Sequence, residues 1–144
     1  MMKSITPILN VSSIRESFAW FEGLGWRRGF AWNQGGMIAC GASENMHGAA
    51  SFGSVCEGEV EIFLCVGGQG SKGTVQPRFP GDDMTDGVWM SWWVEDVDAF
   101  YEVVLKAGAL VTMLPTNQPW GVREFHLRHP DGHMFRVSGG IGEA

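Results

Sequence analysis

Ser91-Trp92-Trp93-Val94-Glu95-Asp96-Val97, with Tyr101, Val104 and Gly108 behind it, decides the fold because it is a second copy of an earlier stretch. Ile8-Leu9-Asn10-Val11-Ser12-Ser13-Ile14, with Phe18, Phe21 and Gly25, lies over it at a constant offset of 83 residues. In each copy an apolar strand ends at Val and a hydroxyl or acidic residue stands where a helix must be capped. Apolar residues then recur at i, i+4 and i+7 until a Gly stops them. Two copies of one supersecondary unit in one chain usually build a shared core with a cleft between them.

Outward from the repeat, Ser13 with Glu16 three residues on forms a capping signature for a first helix with Ile14, Phe18 and Phe21 as its inner stripe. Asp96 opens the second helix, Asp98 complements its dipole, and Val97, Tyr101 and Val104 face inward. After the first helix, β-like runs cover Trp26 to Trp32, Met37 to Cys40 and Val60 to Val66. After the second they cover Ala109 to Met113, Val122 to His129 and His133 to Ser138. Each half reads β-α-β-β-β, an α+β fold of two modules with mixed sheets forming clefts. The expectation is one domain over 1–144, with module one at 1–66, a Gly-, Pro- and Asp-rich linker at 67–86 and module two at 87–144.

Composition sets the class. Of the residues 44% are hydrophobic and 18% charged, which suits a globular chain, and the net charge of −6 argues against nucleic acid and favours cationic partners. No apolar run suits a signal peptide or a membrane span, so the expected location is cytoplasmic, with no membrane partner. Cys40, Cys56 and Cys65 are odd in number and lack metal-type spacing, so they read as reduced, buried thiols. The Gly-rich run 67–73 does not make a phosphate loop, because Ser71 precedes Lys72 and Thr74 is not adjacent to that lysine. Asp82, Asp83 and Asp86 read as a solvated loop, with a rim for a cationic ligand as the alternative.

The last hairpin sets its own register. Pro130-Asp131-Gly132 is a turn, so His129 meets His133, Leu127 meets Phe135 and Phe125 meets Val137. That apolar face belongs under a helix, leaving Glu124, His126, Arg128, Met134 and Arg136 on the concave surface. By the same alternation Leu9, Val11, Trp92 and Val94 go under helices. Thr6, Ile8 and Asn10 in one copy, and Trp89, Ser91 and Trp93 in the other, face the cleft.

These strand-to-helix junctions, together with Pro119-Trp120-Gly121-Val122-Arg123-Glu124-Phe125 leading to His129-Pro130-Asp131-Gly132-His133, resemble the vicinal oxygen chelate (glyoxalase/bleomycin resistance/dioxygenase) superfamily. The closing segment looks most like bleomycin resistance proteins. The resemblance implies paired modules, a homodimer with Pro7 placed for an arm that crosses to a partner subunit, and ligand sites in the clefts. In the enzymes it implies a divalent metal on His, Gln or Glu at concave positions. Carried onto this chain, those positions are Thr6, Trp89, Arg136 and a residue near Leu64, and three of the four cannot bind a metal. His126, His129 and His133 have zinc-like spacing, but the register puts His126 on the other strand face. His47 has no evident partner. Glu57, Glu59 and Glu61 share a strand face that reads as a solvent face or a sheet end, or less often as an acid/base pair, and no nucleophile elbow is present.

Aromatic surface stands where the ligands would be. Seven Trp occur in 144 residues. Trp20, Trp26 and Trp92 read as core, whereas Trp89, Trp93 and Trp120 lie on or beside the inferred cleft and Trp32 ends a strand that reaches it. His126 and Arg136 read either as anchors for a ligand or as a cross-strand pair and a surface ion pair. The resulting expectation is a metal-free, cofactor-free protein that binds a planar aromatic, antibiotic-like small molecule through Ile8, Asn10, Trp32, Trp89, Trp93, Trp120, His126 and Arg136. The alternatives are a metal-dependent lyase, isomerase or dioxygenase of the same superfamily, and an interaction module with exposed aromatics.

Overall fold

In a computed structural model, residues 1–33, 36–38, 50–67 and 69–142 are described. Cys40 and His47, and the end of the strand expected at Met37 to Cys40, lie outside them. The chain divides into two compact units, Met1–Ser71 and Lys72–Ala144.

In the first unit, β1 (Ile8–Val11) leads into α1 (Ile14–Gly23), followed by β2 (Arg27–Asn33), β3 (Gly36–Ile38), β4 (Phe52–Glu57) and β5 (Val60–Val66). The sheet runs β1-β5-β4-β2-β3, with β1 parallel to β5 and the other pairs antiparallel. The Ser13 hydroxyl caps α1 by accepting from the Glu16 amide at 3.1 Å. Ile14, Phe18 and Phe21 on α1 pack against the buried side chains of Leu9, Val11, Val55, Ile62 and Leu64. β4 is a strand that sequence pattern does not reveal. Its Gly53 is required because a Cβ there would meet the Phe18 ring and the Phe30 carbonyl, each at 3.0 Å. A bulge between Arg28 and Ala31 interrupts the β2–β4 pairing, and the buried Ser54 hydroxyl accepts the Phe30 amide there.

The second unit repeats the design with one strand fewer: β6 (Trp89–Trp93), α2 (Val97–Ala107), β7 (Leu110–Asn117), β8 (Val122–Arg128) and β9 (Met134–Gly140), in sheet order β6-β9-β8-β7. Asp96 caps α2 through the Ala99 amide, and Gly108 ends it at φ +73°, the left-handed conformation that glycine adopts without strain. Trp92 stacks on Phe135 at 4.2 Å and 17°, and Tyr101 meets Phe125 edge-on. The hairpin register is the expected one, with Leu127 opposite Phe135, Phe125 opposite Val137 and His126 opposite Arg136.

The segment ahead of β6 is a strap fastened to this sheet. Arg128, wholly buried, donates to the carbonyls of Thr74 (2.9 Å) and Asp82 (2.5 Å). The Thr85 hydroxyl donates to Gly132 O at 2.6 Å and accepts the Thr74 and Gly87 amides. The main chains of Gly73, Gly87 and Gly132 touch so closely that a Cβ on any of them would stand 2.3–2.5 Å from a backbone atom of a neighbour. Asp82 is therefore not part of a solvated loop: it is buried, and the Arg78 side chain and amide hold its carboxyl well below the usual carboxylate range.

Candidate functional site

Each sheet has one face under its helix and one face away from it, and the residues of interest divide between the two away-facing surfaces. On the first, Ile8 stands in register with Phe63, and Trp32 with Phe52. Phe30, Phe52 and Phe63 form a half-buried triad with centroids 5.3–5.6 Å apart. Trp32 is 39% exposed at the margin. Asn10 is on this face too, but its amide donates to Gly70 O at 2.8 Å and so holds the chain that follows β5. The Pro7 carbonyl accepts the Phe63 amide of the same chain, which extends the β1–β5 pairing. On β5, Ile62 and Leu64 are core beneath α1, and Phe63 and Cys65 face away from it.

On the second surface, rows of side chains cross the sheet in register. Trp89 stands with Met134 and Arg128, Ser91 with Arg136 and His126, and Trp93 with Ser138 and Glu124. Trp89 is 41% exposed and Trp93 71%. Trp89 meets the His126 ring at 5.5 Å and 89°. Trp120 lies in the turn between β7 and β8, 61% exposed, at the Trp93 end of the sheet and outside the rows. The structure thus groups Trp89, Trp93, His126 and Arg136 on one surface, puts Trp120 at its end, and keeps Ile8, Asn10 and Trp32 on the surface of the other unit.

Two carboxylates of this surface have cationic or imidazole partners, while Arg128 is held by backbone carbonyls. Arg136 turns its guanidinium to Glu124, with Nε at 3.1 Å and Nη2 at 2.9 Å from Oε2, and the Ser138 hydroxyl donates to the same oxygen at 3.3 Å. His126 Nδ1 lies 2.7 Å from Asp83 Oδ2, and the Thr112 hydroxyl donates to Asp83 Oδ1. Asp83, expected in a solvated loop, is thereby placed beside His126 by the strap. His129 and His133 serve the turn. The His129 Nδ1 accepts the Asp131 amide and the His133 Nδ1 accepts the Val88 amide, each at 3.0 Å. Burial, reinforced by His133 and opposed by Asp131, pushes the His129 imidazole down to about 3.

A divalent ion finds no matching donors at the positions carried over by resemblance. Trp89 offers an aromatic ring, Arg136 a cation already paired, and Thr6 precedes β1. The residue that answers to Arg136 in the first sheet is Phe63, paired with Ile8 as Arg136 is with Ser91. The counterpart expected near Leu64 is thus its neighbour Phe63, and Leu64 itself is buried under α1. Among the described residues no three His, Cys, Asp or Glu side chains come together to hold a metal.

The family model for the glyoxalase/bleomycin resistance protein/dioxygenase superfamily matches residues 3–137. The chain belongs to this superfamily. A search of curated proteins finds no match. Among solved structures, TioX from Micromonospora sp. ML1 is similar over 97% of this chain and 100% of its own, with TM-score 0.69 and 17% identity. A bleomycin-binding protein complexed with bleomycin covers 97% and 100% at TM-score 0.63 and 17% identity. A glyoxalase-related enzyme from Clostridium phytofermentans covers 98% and 97% at 0.64 and 19%. At such identities the likeness shows the α+β fold alone, a fold that occurs both in a protein described as bleomycin-binding and in one described as a glyoxalase-related enzyme.

Sequence reasoning missed Phe30, Phe52, Phe63 and Thr112, and named Asp83 only as part of a solvated loop or of a rim for a cationic ligand. Phe52 lay in an unassigned strand, Phe30 sits at the bulge, and Phe63 alternates with residues as apolar as itself. No local pattern announces the Asp83 contact, which joins residues 43 positions apart.

Proposed function

We propose that this protein sequesters a planar aromatic, cationic small molecule of antibiotic type, without transforming it and without a metal. It acts as a homodimer in the cytoplasm. The observation that carries the reading is aromatic carbon on the away-facing sheet surfaces: Trp89 and Trp93 on one, and the Phe30–Phe52–Phe63 triad with Trp32 on the other. Flat rings give stacking area to planar ligands and attract cations through their faces. The net charge of −6 favours a positive ligand; on the second surface Arg136 is paired with Glu124, and Arg128 is buried beneath the strap with its guanidinium on the Thr74 and Asp82 carbonyls. Two relatives in fold are described by what they bind or resist, bleomycin in both cases. Protection by sequestration works by mass action and needs tight binding with protein in excess.

The test is calorimetric and tryptophan-fluorescence titration with planar cationic antibiotics, bleomycin included, alongside metal analysis of protein purified without chelators. Saturable binding with a dissociation constant at or below the order of tens of micromolar, unaffected by chelator, is expected. Trp93→Ala should weaken it by about 1–3 kcal/mol. A stoichiometric metal that supports turnover of a substrate would replace this reading with an enzymatic one.

A further inference from the structure

We propose that Asp83 and Thr112 hold His126 as a hydrogen-bond acceptor, its Nε2 lone pair kept for an N–H or O–H donor on the edge of the aromatic ligand. This rests on the binding function proposed above and adds the chemistry that the ligand must carry.

The Asp83 carboxylate takes the Thr112 hydroxyl on Oδ1 and stands 2.7 Å from His126 Nδ1 with Oδ2. An ionised carboxylate only accepts, so the proton of that contact sits on Nδ1, and in the neutral ring Nε2 is then a bare lone pair. Nε2 is buried and has no hydrogen-bond partner among the described residues. The neighbouring cation does not supply one, because Arg136 turns to Glu124. A desolvated acceptor without a partner is costly. Such a cost is tolerated where the group has a use. If His126 only tied the strap to the sheet, the Nδ1 contact would suffice and the state of Nε2 would be immaterial. The nitrogen is covered, so a donor reaches it through a local displacement. Trp89, in edge contact with the imidazole and 41% exposed, is the ring placed to yield and then to stack on the incoming molecule.

The full chain labelled with 15N-histidine supplies the first test. In long-range proton–nitrogen spectra at mildly alkaline pH, His126 should be the Nδ1–H tautomer. His129 and His133, whose Nδ1 atoms accept backbone amides, should be Nε2–H and so serve as internal controls. An Nε2–H or doubly protonated His126 overturns the proposal. Two planar probes supply the second test: norharmane, which carries a ring N–H, and its N9-methyl derivative, which lacks it. Norharmane should bind about tenfold more tightly and shift the His126 Nε2 resonance, and the methylated probe should leave that resonance in place. Asp83→Asn gives the ring a donor in place of an acceptor, which turns the tautomer over, and should abolish the preference. His126→Phe should abolish it as well, and serves if Asp83→Asn fails to fold. Equal affinity of the wild-type chain for both probes overturns the acceptor role and leaves aromatic binding standing. If neither probe binds at millimolar concentration, the role assigned to Nε2 and the binding function fall together, whereas a wrong tautomer removes only the former.

Discussion

Arg136 and His126 came from one register argument as paired candidates, yet their neighbours give them different duties. Glu124 is only 2% exposed and its carboxylate accepts both hydrogen bonds of the Arg136 guanidinium, so Arg136→Met should strand a buried carboxylate. We expect a loss of about 2–3 kcal/mol in urea unfolding, discounted because Arg136 is partly exposed, and most of it should return in the Arg136→Met/Glu124→Gln double variant. His129 makes a statement about pH. Its unfolded ring takes up a proton near pH 6.5, while the folded ring, held at about 3, does not. Its contribution is complete above about pH 6.5 and is lost as the pH falls from there towards 3, at up to about 1.4 kcal/mol per pH unit. His129→Asn keeps an acceptor for the Asp131 amide but does not titrate. Its urea midpoint should fall less than that of the wild type between about pH 7.5 and about pH 5, and equal falls would assign the acid sensitivity to other groups.

Elements differ in how openly their sequences announce them. The two helices and the last hairpin were legible, because caps, apolar stripes and the Pro130-Asp131-Gly132 turn are local signals, and they led to the surface that carries Trp89, Trp93, His126 and Arg136. β4 was not legible: Phe52-Gly53-Ser54-Val55-Cys56 has no clean alternation, since Gly53 makes room for Phe18 and Ser54 serves the β2 bulge. The strap reads as linker because Gly, Pro and Asp dominate it, and its fastening to Arg128, His126 and Gly132 depends on partners 43 or more residues away. One substitution weighs that fastening. Gly132→Ala would put a Cβ 2.3 Å from the Gly73 main chain at a φ of +82°, and should cost about 3 kcal/mol or more in chemical denaturation. A loss below about 1 kcal/mol would mean that the strap is free to move aside.

At the scale of the whole molecule, the 83-residue repeat is realised as two sheets, each parallel at its first strand pair and antiparallel beyond it. The copies differ on the faces turned from their helices, with the first presenting phenylalanines and the second indoles beside the Arg136–Glu124 pair. No helix among the described residues is long and apolar enough to cross a membrane. The proposed homodimer predicts a sedimentation-equilibrium mass of twice the 15.8 kDa chain at micromolar concentration, and the single-chain mass there would remove the second subunit from the proposal.

The meeting of Gly73, Gly87 and Gly132 has a consequence for how such a protein can change. Three bare main chains in contact leave no room for drift, whereas Trp89, Trp93 and Trp32 project from surfaces that their own helices do not cover. In a randomised library selected only for solubility, the glycines should return unchanged while the indoles scatter. A new ligand preference can then be evolved on this scaffold by altering its rings and leaving the crossing of its backbones intact.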